Sequence, residues 1–318
     1  MIGSPGVALA PMAGITDLPF RRLVQSFGAD LVVSEMVASQ EMVQSKPGVR
    51  ERAELGLTVE GTAVQLAGRD AHWMAEAARM VAGQGARLID INMGCPAKKV
   101  TGGLSGAALL KDLDHAVTLL EAVVSAVDVP VTLKTRLGWD NAQETAPDLA
   151  RRAEDVGIAM ITIHGRTRAQ FYTGRADWSA VRRVKAAVQI PVLVNGDIRS
   201  PWDADAALAA SGADGVMIGR GAQGAPWMVA EVAAHLTKGA GPKVPEGADF
   251  VAMVATHYED ALSFYGAELG RRVIRKHLGW YMDRAGTAPD MRKTVLTGDP
   301  SKVLRVLPAA LETMADAA

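Results

Sequence analysis

Six polar residues of this 318-residue chain stand where chemistry could be done. Gln65, Asn92, Lys134, His164 and Asn195 each close a run of apolar neighbours, and Cys95 follows Asn92 by three positions. Taken singly, each of the five reads as a satisfied structural group. Together with the thiol they offer hydrogen-bonding amides, a cation and an imidazole, a set that can hold a polar ligand. Cys95 is the only cysteine, so neither an intrachain disulfide nor a multi-cysteine metal site is open to it, and no metal is expected. Its plain reading is a small buried hydrophobe. The context argues otherwise. Gly94, Cys95 and Pro96 end the alternating run Leu88–Met93, and Lys98, Lys99, Thr101, Gly102 and Gly103 follow, which puts the thiol on a mobile, cationic loop.

Two glycine loops point to a phosphate. The segment from Gly219 through Arg220 and Gly221 to Gly224 matches G-x-G-x-x-G, the dinucleotide fingerprint. That reading fails, because no second strand with a terminal acid follows the helix expected at about 226–236. The glycines after the last two strands instead suit a cradle of backbone N–H groups, a helix N-terminus and Arg220, with Asn195, Gly196 and Asp197 as the other wall. Plain turn chemistry is the bland alternative.

These residues need elements to position them. Strands are expected at Val7–Ala10, Ala29–Glu35, Thr62–Leu66, Leu88–Met93, Val131–Lys134, Met160–His164, Val192–Asn195 and Gly215–Ile218. Helices are expected over about 70–83 and 112–127, with a long surface excursion over residues 38–61. Markers at the strand ends (Pro11, Glu35, Gln65, Asn92, Lys134, His164, Asn195, Gly219) recur at intervals of 24 to 42 positions, each holding one strand and one helix. Eight such units over about 230 residues have the size of an α/β-class (β/α)8 TIM barrel. A doubly wound open sheet is the alternative, but the absence of a domain break favours closure. In a barrel the five polar strand ends converge on the carboxyl-terminal face, where such folds place their sites.

Composition sets bounds. Apolar residues make up 49% and charged residues 22%, an ordinary globular balance. A net charge of -1 argues against coating nucleic acid by bulk charge, so any RNA contact needs a local basic patch. With no apolar run of 18 residues and no signal-peptide pattern at the start, no membrane is expected and a cytoplasmic location is, which an unpaired cysteine suits. After Gly239, Ala240, Gly241 and Pro242, residues 248–265, 268–284 and 300–315 carry helical spacing and no strand-like runs. The chain therefore divides into a barrel, 1–239, and a smaller all-helical C-terminal domain, 240–318. Between residues 268 and 305 lie nine basic residues and four acids. A solvated face is the plain reading, and Trp280 and Tyr281 lie nearby.

The stretch "DINMGCPAKKVTGGLSGAALLKD" resembles the signature of the tRNA-dihydrouridine synthases, flavoenzymes that reduce uridine in transfer RNA. "APMAGITDLPFR", "VQLAG", "KTRLGWD", "IHGRTRAQFYTG", "NGDI" and "GRGAQGAPW" follow the family's order, covering about residues 7 to 230. The resemblance implies FMN, with Pro11, Met12 and Ala13 backing the ring and Gln65 and Lys134 on its polar edge. His164 and Arg166 would line the phosphate or ring side, Arg166 also counting toward the substrate. The phosphate would lie on Asn195, Gly196, Asp197, Gly219 and Arg220. Lys134 has a physical rationale, since a reduced flavin carries negative charge at that edge. The family's reaction adds a hydride to carbon 6 of uracil and a proton to carbon 5, and Cys95 matches the proton donor. An ordinary thiol keeps its proton at neutral pH and needs no activating partner. NADPH or NADH is the implied reductant. Asn92 would bond the uracil edge once the base is extruded from its stack, and Lys98, Lys99 and Arg168 would meet RNA phosphates. The helical domain, through Arg271, Arg272 and Arg275, would hold tRNA, and a monomer is expected.

Three other readings compete. A flavin barrel of the dihydroorotate dehydrogenase kind, acting on a free small molecule, has no use for a basic helical appendix. A cofactor-free aldolase or isomerase leaves Cys95 unexplained. A non-catalytic RNA-binding protein leaves the converging polar residues unexplained. If the two domains divide the work, a chain cut after about residue 240 should remain a soluble barrel.

Overall fold

A computed structural model of the chain describes residues 6–44 and 62–312. The greater part of the expected surface excursion, residues 45–61, lies outside them. Eight parallel strands are formed: β1 (Gly6–Leu9), β2 (Leu31–Val33), β3 (Thr62–Ala67), β4 (Leu88–Met93), β5 (Val131–Arg136), β6 (Met160–His164), β7 (Val192–Asn195) and β8 (Gly215–Ile218). Each pairs with the next, and β1 pairs with β8 from Gly6↔Gly215 to Leu9↔Ile218, which closes the barrel. The second strand is shorter than expected. Ser34 interrupts it: its hydroxyl, not a ladder carbonyl, accepts the Gln65 N–H at 3.0 Å, and Glu35 turns to accept the N–H of Gly14. A two-residue strand, Val37–Ala38, then resumes beside Leu66 and Ala67.

Alternation along each strand sorts the side chains into two cores. Ala8, Ala10, Leu31, Val33, Ala63, Leu88, Met160, Leu193 and Met217 form one cluster, the barrel interior. Leu9, Val32, Val64, Ile89, Ile91, Leu133, Ile161 and Val216 belong to the second, between strands and helices. Burial on both faces is why these strands read as near-continuous apolar runs. Each fully buried Val, Leu or Ile contributes roughly 1.5–3 kcal/mol. The surrounding helices start where the sequence caps them: Asp17 accepts the Phe20 N–H at 3.0 Å, and Asp70, Asp112 and Ser200 cap Ala71–Gly83, Leu113–Val124 and Pro201–Ser211 in the same way. Between β6 and β7 the expected helix shrinks to Ser179–Val181 and Arg182–Lys185.

Beyond the barrel lie helices Gly247–Tyr265, Ala267–Val273, Arg275–Ala285, Pro289–Thr297 and Pro300–Leu311. The single helix expected at 268–284 is two, separated at Ile274. Pro289–Thr297 has only three large apolar residues, Met291, Val295 and Leu296, too few for its period to show in the sequence. The core of this region includes Phe250, Val254, Tyr258, Leu278, Tyr281 and Leu307, and also Trp227 and Ala225, which precede the Gly239–Pro242 linker. Phe20 of the barrel meets the rings of His257 and His277 at 5.8 and 4.6 Å. A Cβ on Gly224 would lie 2.9 Å from the Trp280 carbonyl oxygen, so the two backbones touch there. The packing boundary thus falls earlier than the linker. A cut at residue 240 would strip cover from Trp227, so the freely soluble barrel expected from the sequence is at odds with this interface.

Candidate functional site at the barrel mouth

At the carboxyl ends of the strands opens a cavity of about 380 Å³, within the usual range for a cofactor or small ligand. One wall is the loop after β1, carrying Pro11, Met12 and Ala13. Its turn is fixed internally: the Met12 carbonyl accepts the N–H groups of Ile15 and Thr16, both at 3.0 Å, and Gly14 takes φ +70°. The helical domain holds the same loop from outside. His277 donates through Nε2 to the Ile15 carbonyl at 3.2 Å, and the Lys276 ammonium lies 3.1 Å from where a Cβ of Gly14 would stand.

The floor is built from inward-facing residues of β3, β4, β5 and β7. Lys134 Nζ donates to Asn195 Oδ1 at 3.2 Å, and Asn195 Nδ2 donates to the Met217 carbonyl at 2.7 Å. Burial, reinforced by Arg136 and opposed by Asp90, pushes the Lys134 ammonium down to about 8. Burial also holds the His164 imidazole well below its ordinary value, and Lys134, Arg136, Arg166 and Arg220 add to the effect, so the ring is neutral. Asn92 is used on both ends: Nδ2 donates to Gln65 Oε1 at 2.9 Å, and Oδ1 accepts the N–H groups of Gly94 and Cys95 at 3.2 and 2.9 Å. Cys95 is half-buried, faces the cavity and is anchored again through its carbonyl, which accepts the Ala107 N–H at 3.1 Å.

The far wall comes from the loops after β7 and β8. A Cβ on Gly196 would lie 2.7 Å from the His164 ring, and one on Gly221 would lie 2.4 Å from the Ile198 carbonyl oxygen; at both points only glycine fits. Asp197 accepts Arg166 at 2.5 Å, the Ala176 N–H at 2.8 Å and Arg220 at 3.0 Å. Burial works against its charge, but the bonds from Arg166 and Ala176 outweigh it and hold the carboxyl below its usual range. The cavity lining holds four cations (Lys134, Arg136, Arg199, Arg220) and one carboxylate, Asp197. With that single carboxylate already bonded to two arginines, the site is prepared for an anion. Among the described residues no group of His, Cys, Asp or Glu could hold a metal ion, and no helix is long and apolar enough to cross a membrane.

The family model described as dihydrouridine synthase matches residues 8–313. The chain belongs to the dihydrouridine synthase family. It is 60% identical over 307 residues to a probable tRNA-dihydrouridine synthase of Rhodobacter capsulatus, spanning 96% of this chain and 94% of that one. A probable tRNA-dihydrouridine synthase of Rhizobium leguminosarum is 52% identical, over 96% and 95% of the two chains. The tRNA-dihydrouridine synthase B of Xanthomonas campestris is 48% identical, over 92% and 88%. The closed parallel barrel with a helical C-terminal region is consistent with the family.

In this family member the structure brings Pro11, Met12, Ala13, Gln65, Asn92, Cys95, Lys134, His164, Asn195, Gly196, Asp197, Gly219 and Arg220 into one cavity. Lys98 and Lys99 lie outside it, exposed on the short helix Lys98–Thr101. Arg168 stacks on Trp139 at 4.5 Å. Arg166 is the correction. Expected on the phosphate or ring side and toward the substrate, it is 1% exposed, donates to the Thr173 and Gly174 carbonyls and to Asp197, and so braces the far wall from behind without lining the cavity. Arg271, Arg272 and Arg275 do not line the cavity; Arg272 and Arg275 are exposed and have no ion pair among the described residues. Sequence reading missed Arg136, Arg199, Phe171 and Tyr172, all of which line the cavity. Phe171 and Tyr172 are 45% and 49% exposed at its rim, with Arg136 and Arg220 at 5.4 and 5.3 Å from the Tyr172 ring. The signal for Phe171 and Tyr172 was their place in the motif IHGRTRAQFYTG, in the loop after a strand that ends in His164.

Proposed function

We propose that this chain is a tRNA-dihydrouridine synthase that holds FMN in the barrel mouth, takes reducing equivalents from NADPH or NADH, and uses Cys95 as the proton donor. The observation that carries the reading is the meeting, in one cavity, of a half-buried thiol, a lysine on the floor and a cationic, glycine-lined far wall. The residues fit the cofactor. Arg199 and Arg220 line the far wall beside Gly196, Gly219 and Gly221 and offer cations for a phosphate, and Pro11, Met12 and Ala13 offer an apolar wall for a ring.

When bound, FMN supplies the hydride for carbon 6 of uracil. Lys134 offers a cation for the negative charge that a reduced flavin carries at its pyrimidine edge. Gln65 and Asn195 hold the floor around it. Cys95 gives its Sγ proton to carbon 5, so the base gains one hydride and one proton, and the thiolate is reprotonated from solvent before the next turnover. The exposed Phe171 and Tyr172 present aromatic faces to a base extruded from its stack. Lys98 and Lys99 on one side, and Arg271, Arg272 and Arg275 on the other, supply cations for the RNA backbone. The helical domain favours RNA over a free small molecule, because it packs against the loop that forms the cavity wall.

Purified protein given NADPH and unmodified tRNA transcripts should convert uridine to dihydrouridine, read as a gain of two hydrogens by nucleoside mass spectrometry. Absence of dihydrouridine with flavin-loaded, NADPH-reducible protein would sink the assignment. Mapping dihydrouridine in tRNA from cells lacking the protein identifies the positions served.

A further inference from the structure

Gln65, Asp90 and Thr132 occupy one row across three strands, with register pairs Gln65↔Asp90 and Asp90↔Thr132, and Asn92 sits one inward step above Asp90. Asp90 is 2% exposed, beneath the cavity floor, and touches neither the proposed cofactor space nor the thiol. Its oxygens each accept one bond at 2.7 Å, Oδ2 from Gln65 Nε2 and Oδ1 from Thr132 Oγ1. We propose that Asp90 is a positioning residue: through Gln65 and Asn92 it fixes the direction of a hydrogen-bonded chain that ends on the backbone of Cys95.

The argument is one of polarity. A side-chain amide is nearly symmetric in shape, so sterics alone let Gln65 and Asn92 face either way. Burial raises the proton affinity of Asp90, and the bonds from Gln65 and Thr132 and the Lys134 charge oppose the rise; with donors at both its oxygens it serves as an acceptor and draws the nitrogen of Gln65 toward itself. The Gln65 oxygen is then left for Asn92, which must present its nitrogen, Nδ2, at 2.9 Å. That turns the Asn92 oxygen toward the end of the strand. There it meets the N–H groups of Gly94 and Cys95, at 3.2 and 2.9 Å, which can only donate. Every link is donor to acceptor, and both ends are fixed by groups with a single role. Reversing any amide sets donor against donor or acceptor against acceptor in a buried place, at a cost that buried polar groups do not sustain.

The inference deepens the reading of Cys95 as the proton donor and rests on it, but its test needs neither RNA nor turnover. Cys95 is the only thiol, so its alkylation by iodoacetamide reports on this loop alone. In Asn92→Asp, the new carboxylate satisfies Cys95 but faces the Gln65 oxygen. Turning Gln65 to suit it sets two acceptors against each other at Asp90. In the double variant Asp90→Asn with Asn92→Asp, Gln65 turns over and every bond is made again: Asn at 90 donates to Gln65, Gln65 donates to Asp at 92, and the Cys95 N–H keeps its acceptor. We expect Asn92→Asp to change the alkylation rate several-fold and the double variant to restore it, with melting temperature followed alongside. A single variant that alkylates like the parent, or a double variant no closer to the parent than the single, overturns the proposal. If Asn92→Asp does not fold, the double variant decides: folded with the parent's alkylation rate supports the chain, and equally unfolded overturns it. Dihydrouridine formation at the parent's rate in Cys95→Ala would instead count against the role of Cys95 and leave the hydrogen-bonded chain untouched.

Discussion

Lys134 reaches across the barrel to Asn195, Nζ to Oδ1 at 3.2 Å, and so joins β5 to β7, two strands that are not neighbours in the sheet. The bond holds a cation over the cavity floor at a position where burial has already lowered its proton affinity.

The pH dependence follows from that shift. Folding lowers the Lys134 pKa from 10.5 to about 8. Between those values the unfolded chain binds more protons, so the penalty for burying the charge is fully present below pH 8 and fades as pH rises toward 10.5. Flavin-free Lys134→Met should therefore gain on the parent most at pH 7 and least near pH 10. Denaturant midpoints at the two pH values check this; a difference independent of pH removes Lys134 as its source.

Replacing Cys95 by Ala should leave flavin content and reduction by NADPH unchanged if, as proposed, the thiol takes part only in the RNA half-reaction. Oxidation of the reduced enzyme by tRNA, followed by anaerobic stopped flow, should slow by roughly 10²–10⁴, the usual contribution of a positioned acid. Serine, a far weaker acid of similar size, should rescue little. Parent rates in the Ala variant would take Cys95 out of the mechanism.

Arg220→Ala should weaken flavin retention on dilution more than neutralising exposed Arg272 does, since Arg220 alone of the two lines the cavity, bonded to Asp197. Cofactor identity is read from the same samples. Mass spectrometry of the released flavin should give FMN, and FAD would contradict a cradle followed at once by a helix.

The basic face makes an electrostatic prediction. Binding to RNA phosphates releases counterions, so neutralising Arg271, Arg272 and Arg275 together should weaken tRNA binding and flatten its dependence on salt. The slope should fall by about one unit for each phosphate that no longer meets an arginine. An unchanged slope in filter binding would mean that these arginines are only solvated surface.

Trp227→Ala should destabilise the whole molecule by about 3–5 kcal/mol, the usual cost for a buried aromatic. Trp227 is 1% exposed, with Phe250 against its ring and the Arg284 guanidinium 4.7 Å above it. Barrel and helical domain should melt together in this variant. Two separate transitions would show that the domains are independent.

Much of the barrel was legible because parallel strands buried on both faces leave unbroken apolar runs, and a polar residue at the end of such a run marks the mouth. Gln65, Asn92, Lys134, His164 and Asn195 were readable for that reason. Asp90 was not, since its importance lies in its row partners, 25 and 42 residues away, and pairing register is not written locally. Arg166 was placed near the ligand by resemblance, but that Asp197, 31 residues on, would hold it behind the wall was not written in its own neighbourhood. Tyr172 and Arg136 meet only because the loop after β6 folds over β5. The second strand was read too long because nothing in Ala29–Glu35 announces that the Ser34 hydroxyl will take a ladder position.

The hold of His277 on Ile15 has a meaning for how the molecule is made. The two residues are 262 positions apart, and β1 likewise closes the barrel only against β8. At about 5–20 residues per second, the loop that forms one cavity wall waits roughly 13–52 s on the ribosome before its anchor is synthesised. The barrel can close once Gly215–Ile218 has been made, but the Ile15 loop stays without its outer anchor until His277 follows, so a chain halted between those two points has a closed barrel with one cavity wall still unheld.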